Sequence, residues 1–594
     1  MLSIGRVSAI NSNIIEIEIY SNLIDGTIIV KNELHNPINV GGYCKVYNSI
    51  GFSVIKITNE KATNISNLDS NKKMIDNYYK VIEGRIIGNF IKNEFKFGIT
   101  KMPNIFASVF MLSETEKNWL LNNQKKNSIL YPIGSYLIDN SISFNIDINE
   151  FLKFHTAIFG VTGTGKSNTI GKILEMVNLA EKDQQLKKIR ELNLVVFDLT
   201  GEFKNIEEGN LINFDKFKIP VEKLDYKDWS VLLSASKKTQ ETFLKNVDNN
   251  FQKINSSESL VSTINSIIFT ILKEIKPSTK NDTELKSKID TLNQELIELS
   301  EKDLFYKDIF SKIVAIFKEI SIDFGQLIYK NNKYEPIAKI KRDINAIKND
   351  IKSENYKMIF DIYDTIFTLT ELVYQLKGGL FYNNIRYLVY RYKRYRKDLE
   401  NFFISKSQNI SIIDEIMKNN LSIIDLSSNL IYLSTVVGGL IATKLYESIK
   451  LEKKDRNLIL IFDEAHKYME KISSEDYENR TQELLEEISR EGRKYGVSLF
   501  ISSQKPSDIS EIIVSQCSNL IIHKIISPID INKISNVISY LDKQSLEILS
   551  YLAPGNAIFA GRFQEYPQIV EIYRPNKNFR PNSDVDDIFK KINR

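Results

Sequence analysis

The chain has 594 residues, well past the roughly 250 to 300 at which one hydrophobic core stops growing, so several domains are expected. With 42% hydrophobic and 26% charged residues, and only 12 prolines and 24 glycines, the composition excludes a chain dominated by disordered linkers. The 79 basic and 75 acidic residues leave a net charge of +4, which excludes a uniformly basic surface, so any nucleic-acid contact has to be local.

The amino terminus, MLSIGRVSAINSN, lacks a basic segment followed by an apolar run, so no signal peptide is expected. Two distant cysteines, Cys44 and Cys517, and four scattered histidines offer no paired spacing for a structural metal, which fits a reducing cytoplasm. Up to residue 145 the pattern is period-two alternation in short runs: Ile15 to Ile19, Gly26 to Val30, Lys45 to Tyr47, Val54 to Ile57, and Arg85 to Ile99 broken at Lys92-Asn93. Such runs imply a small β-barrel or sandwich over 1–145.

From His155 onward apolar strands alternate with helical stretches: HTAIF, LNLVVFDL, LSIIDL, LILIFDE, VSLFISS and NLIIHK. This is the signature of a mainly parallel sheet with crossover helices, an α/β core in two parts, 146–231 and 409–575, ahead of a tail at 576–594. Between them, 232–408 is Lys/Glu-rich and Gly-poor. There Leu285, Ile289, Leu292, Leu296 and Leu299 describe one apolar helical stripe, so a helical insertion packed on the core is expected. The apolar stretch Leu430 to Thr443 is short for a membrane span and reads as a buried helix, so no membrane attachment is expected.

Residues 160 to 167, GVTGTGKS, follow the strand His155 to Phe159 and precede a helix-compatible segment, which is the context a phosphate-binding loop requires. Gly160, Gly163 and Gly165 let backbone N–H groups converge on phosphate oxygens at a helix N-terminus. Thr162, Thr164 and Asn168 complete the nucleotide-binding segment with Lys166, for the β- and γ-phosphates, and Ser167, for Mg²⁺. The strand LILIFDE then ends in Asp463, a candidate for the hydrated Mg²⁺, and Glu464, a candidate base for the attacking water. Gln504 ends the strand SLFISSQ on the same side of a parallel sheet and is placed to sense a γ-phosphate. SREGRKYG carries Arg490 and Arg493, either of which suits a neighbouring subunit's γ-phosphate, unless both belong to a solvated helix end.

Taken in order, GVTGTGKSNT, VVFDLTGEF, IIDLSS, LILIFDEAHKY, EEISREGRKYGVSLFISSQKPSDI and APGNAIF resemble the HerA family of hexameric DNA translocases, in the FtsK/HerA branch of P-loop ATPases. The resemblance covers nearly the whole chain. It implies a RecA-like core with an N-terminal barrel of the kind found in rotary ATP synthases, ATP and Mg²⁺ as nucleotide and metal, a homohexamer, and double-stranded DNA as substrate. It also implies an effector on a second chain, a nuclease or a sirtuin-like protein, including in anti-phage defence. Asp198 and Glu202 match a family signature, with catalysis, subunit contact and a turn on Gly201 all open.

Two further readings stay open: a nucleotide-switched hexameric scaffold, and a conjugative-transfer ATPase. For DNA, the connections beyond the strand ends nominate Lys204, Lys467 and Lys471. The run Arg386 to Lys397 is either a second phosphate- and base-binding candidate or a bundle helix lined by Tyr387, Tyr390 and Arg394.

Overall fold

The computed structural model describes residues 3–582 apart from 21–27, 31–32, 36–39, 69–73, 92–93, 122–128, 183–190, 215–217, 237, 276–281, 302–303, 324–325, 331–335, 351–358, 405–411, 429, 453–455, 470–478, 538–542 and 563. Six strands form a closed antiparallel barrel: β1 (Ser3–Asn11), β2 (Ile14–Ile19), β3 (Tyr43–Asn48), β4 (Gly51–Leu68), β5 (Met74–Ile91) and β6 (Ser108–Met111). Their order is β2-β1-β6-β3-β4-β5, and β5 pairs back onto β2. The alternation in IIEIEI turns Ile15, Ile17 and Ile19 into the barrel, where they meet Ile4, Val7, Val46, Ile55 and Ile82. Strands β1 and β6, which the alternation did not single out, supply the remaining hydrogen bonds of the closed ladder.

An 11-stranded sheet forms the second layer. Its strands are β7 (Leu130–Tyr136), β8 (Asp139–Asp147), β9 (Thr156–Phe159), β10 (Glu191–Asp198), β11 (Asn210–Ile212), β12 (Leu421–Asp425), β13 (Arg456–Phe462), β14 (Val497–Ser503), β15 (Asn519–Ile522), β16 (Asn556–Gly561) and β17 (Gln564–Ile572). The order is β8-β7-β17-β16-β15-β9-β14-β13-β10-β12-β11. From β15 to β11 all neighbours are parallel; β16, β17, β7 and β8 continue as antiparallel hairpins. The predominantly apolar runs become the central strands, buried at every residue because both of their faces are covered.

Strand β7 and most of β8 fall within the first 145 residues, yet they pair with the large sheet rather than with the barrel. Period-two alternation sets which face of a strand is apolar and carries no information about which sheet receives it. At Gly134 a Cβ would lie 2.3 Å from the Glu571 carbonyl oxygen, so only glycine permits the contact of β7 with β17.

Helices α1 (Lys166–Lys182), α2 (Tyr226–Leu232), α3 (Thr239–Phe251), α4 (Ser257–Glu274), α5 (Asp282–Glu301), α6 (Leu304–Lys318), α7 (Pro336–Asp350), α8 (Ile359–Lys377) and α9 (Gly379–Leu399) follow the phosphate-loop strand. The last seven pack together and share one continuous apolar core with the sheet. The stripe on α5 buries Ile289, Leu292, Leu296 and Leu299; the Leu285 side chain lies outside the described residues. The flanks of this region meet where Ile219 pairs with Phe403. Helix α10 (Ile431–Glu452) covers the sheet with Val437, Leu440, Ile441 and Leu445 fully buried, and no described helix is long and apolar enough to cross a membrane.

Trp229 on α2 is fully buried and stacks on Tyr363 of α8 at 4.1 Å, joining the ATPase sheet's covering layer to the helical region. Replacing it with Ala leaves a cavity between the two, and a loss of about 3–5 kcal/mol in urea-unfolding stability is expected.

Candidate nucleotide-hydrolysis site

Strand β9 lies between β14 and β15, and the chain leaves its C-terminal end through the glycine-rich loop into α1. The loop is cradled by His523 at the end of β15. A Cβ on Gly160 would stand 2.6 Å from that of His523, and Gly165 adopts φ +110°, so both positions require glycine. His523 Nε2 lies 2.9 Å from Thr169 Oγ1 and Nδ1 lies 3.2 Å from the Asn556 carbonyl. Burial and the nearby Lys166 ammonium hold His523 neutral, with its pKa pushed down to about 3. The apolar run NLIIHK gave no sign that its histidine would brace the phosphate loop.

The register of four parallel strands then assembles the chemistry at one level. Phe159 pairs with Ser503, so Gln504 falls beside Gly160, and the Thr162 hydroxyl donates to Gln504 Oε1 at 2.6 Å. Phe462 pairs with Ile501 on one side and Phe197 on the other, so Asp463 emerges between Ser502 and Asp198. The Phe197 and Phe462 rings stack at 4.3 Å with an interplanar angle of 1°, fixing that pairing. Glu464 follows with φ +48°, a left-handed conformation that costs a non-glycine residue of order 1–3 kcal/mol and persists where packing enforces it.

Lys166 is buried beside Asp463, Glu464 and Glu202; burial lowers its pKa, and the three carboxylates oppose that shift. Burial, then Glu464, Glu202 and Asp198, pushes Asp463 up to about 7. Burial likewise raises Glu464. Its Oε2 sits 3.2 Å from His466 Nδ1 without accepting a hydrogen bond, and Glu202 Oε2 is also buried with no hydrogen-bond partner among the described residues. Buried hard oxygen donors crowded together are what a hydrated Mg²⁺ coordinates, and Asp463 and Ser167 are the residues that fit it. Among the described residues Lys166 bonds only to the Val161 carbonyl, at 3.4 Å, which leaves ammonium donors for phosphate oxygens.

The DLTGEF segment divides its two acids. Asp198 is fully buried and accepts from the N–H groups of Thr200, Gly201 and Phe203, at 3.2, 2.7 and 2.9 Å, so it builds the turn. Thr200 Oγ1 ties that turn to Asp463 Oδ2 at 3.3 Å, which leaves Glu202 as the third carboxylate around Lys166.

The basic candidates lie apart from this cluster. Arg490 ends helix α11 (Arg480–Glu491), and Arg493 follows it, both at the start of β14 and opposite the phosphate loop. Lys204 is bound to the buried Asp425 at 2.9 Å. Lys467 lines a cleft of about 770 Å³ with His466, Lys505 and Lys533, while Lys471 lies outside the described residues. On α9 the buried face is Ile385, Leu388, Val389 and Tyr392. Tyr387 and Tyr390 are exposed, so they do not line the bundle as the spacing suggested. Arg391, Lys393 and Arg396 are committed to Gln240, Glu371 and Asp364.

A family model described as the central domain of the helicase HerA matches residues 131–344, which begin at β7. The DNA double-strand break repair helicase HerA of Pyrococcus furiosus is 24% identical over 461 residues, covering 74% of this chain and 69% of that protein. The chain is thus similar to HerA-type helicases over most of its length. A probable helicase of Methanocaldococcus jannaschii is 24% identical over 523 residues, 86% of this chain and 80% of that one. A second from the same organism is 20% identical over 584 residues, 95% and 94%. The matched span begins at β7 and reaches into the helical region.

The crowded carboxylates carry a pH signature. An unfolded aspartate titrates near 3.9, so between about pH 4 and 7 the folded chain holds a proton on Asp463 that the unfolded chain has lost, and stability falls as pH rises through that window. Without nucleotide, Asp463→Asn is expected to melt on the order of 5 °C above the parent at pH 8, with the gap closing toward pH 4 in scanning fluorimetry.

Proposed function

We propose that six copies of this chain close into a ring that hydrolyses ATP and drives double-stranded DNA through its centre. The reading is carried by the hydrolytic groups gathered at one sheet end: a phosphate lysine, a carboxylate for metal, a second carboxylate for water and an amide on the phosphate loop. Lys166 holds the β- and γ-phosphates, and Ser167 and Asp463 hold Mg²⁺, which when bound neutralises phosphate charge. Glu464, with its raised proton affinity, accepts a proton from the attacking water. The water oxygen bonds to the γ-phosphorus, the bond to the bridging oxygen breaks, and ADP leaves with that electron pair. Gln504 reads the γ-phosphate through its contact with Thr162.

A neighbour completes the site. Strand β14 separates Arg493 from Gln504 by its seven residues, roughly 23 Å at strand rise, beyond the reach of any side chain. Arg490 and Arg493 therefore serve a γ-phosphate on an adjoining copy if they serve one at all, which motivates the closed ring. Double-stranded DNA as the cargo is supported by the relatives' names, DNA double-strand break repair helicase among them. Lys467 in its cleft and Lys471 are the cations proposed for its backbone, with Lys204 the weaker candidate because Asp425 holds it. A nuclease or sirtuin-like effector on a second chain, in cytoplasmic DNA processing or anti-phage defence, belongs to the same reading. Its support is the barrel's exposed Ile50, Ile99, Ile105 and Phe106, and the free thiols of Cys44 and Cys517 fit the compartment.

Glu464→Gln is expected to bind ATP with near-parental affinity while turnover falls on the order of 100-fold or more. Turnover close to the parent's removes Glu464 from its role. Native mass spectrometry with ATP and Mg²⁺ is expected to show six subunits; monomer alone contradicts the ring.

A further inference from the structure

Arg493 is one half of a pair. Phe154, just ahead of β9 and 6% exposed, has the Arg493 guanidinium 4.3 Å from its ring centroid and that of Arg562 at 4.9 Å. Arg562 comes from the β16–β17 connection, two strands across the sheet from β9, where its backbone N–H donates to the Ser518 carbonyl at 3.1 Å. At Gly561 a Cβ would lie 2.2 Å from that same carbonyl oxygen, so the backbone that presents Arg562 is fixed by close contact.

Both arginines are exposed, and neither has a carboxylate partner among the described residues. Other arginines of the chain, such as Arg396 and Arg480, hold acids. Stacking on one buried ring immobilises two long side chains without neutralising either, so the pair presents two positive charges and rigid donor forks outward. Such an arrangement fits a compact, multiply charged anion with several equivalent oxygens.

We propose that Arg562 is a second trans-acting arginine, acting with Arg493 on the terminal phosphate of a nucleotide bound by the neighbouring copy. Phe154 is the positioning residue that sets their spacing. The proposal rests on the ring ATPase reading, since Gly561 is level with Asn519 and Thr156, which puts Arg562 at the end of β9 opposite its own phosphate loop. Charge on the three equatorial oxygens of the transferring phosphoryl group would then meet two guanidinium groups rather than one.

The test is trans-complementation. Arg562→Ala and Lys166→Ala are each expected to form hexamers and to lose ATP turnover on the order of 100-fold or more. Mixed in equal amounts and exchanged, they are expected to recover to roughly a quarter of parental activity, since half the phosphate loops are intact and half of those face an intact Arg562. Arg562→Lys keeps the charge but not the fork and is expected to stay impaired while folding normally by circular dichroism. Arg493→Ala mixed with Lys166→Ala is the parallel arm. Parental turnover by Arg562→Ala overturns the proposal, as does an Arg562 variant that stays dead on mixing while the Arg493 variant is rescued. Selective loss of duplex DNA binding with normal basal ATPase also overturns it and assigns the pair to DNA phosphates. If the parent is an active monomer, the ring reading itself has failed.

Discussion

The structure depends on crowding negative charge at the end of two neighbouring strands. Asp198 and Asp463 follow paired residues of β10 and β13, and Glu202 and Glu464 follow them into the same space, with Lys166 as the buried cation they share. Without nucleotide and metal this is costly, and the cost shows in the raised proton affinity of Asp463 and in the hydrogen bonds that tie Asp198 into one turn. A triphosphate with its metal adds charge of both signs and relieves that crowding. Ligand binding and catalytic geometry are thus coupled through the same oxygens.

Around this centre the scaffold is redundant. The stacked Phe197 and Phe462 hold the acid-bearing strands in register, His523 braces the phosphate loop from behind, and Thr162 links that loop to Gln504. The left-handed backbone at Glu464 is retained inside this frame. The opposite ends of the same strands carry Phe154, Arg493 and Arg562, so one sheet has the phosphate-loop cluster at one end and, at the other, two cations without a carboxylate partner among the described residues. In a ring, copies related by rotation can bring those two ends together, and loss of the γ-phosphate then changes a contact between subunits.

The parts legible in the sequence are those written in consecutive residues. The phosphate loop, Asp463-Glu464 and the strand ending in Gln504 could be read because strand, turn and chemistry sit within ten residues of each other. The barrel was legible from alternation such as IIEIEI. What could not be read depends on long-range pairing. Strands β7 and β8 look like barrel strands until β17 is there to receive them, and Tyr387 and Tyr390 share a helical face whose exposure is decided by Ile385, Leu388 and Tyr392 on the other side. The division of labour between Asp198 and Glu202 hinges on which oxygens meet backbone N–H groups, and Arg562 becomes meaningful only once the hairpin carries it to Phe154.

The central claim is that hydrolysis at this site moves duplex DNA. Its most direct measurement is displacement of a third strand from a triplex-bearing duplex. The account predicts that the parental protein strips the third strand with ATP and Mg²⁺, and that Glu464→Gln binds the same duplex and leaves the third strand in place. A hexamer that hydrolyses ATP at full rate and never displaces the third strand would contradict it, as would displacement by Glu464→Gln as fast as by the parent.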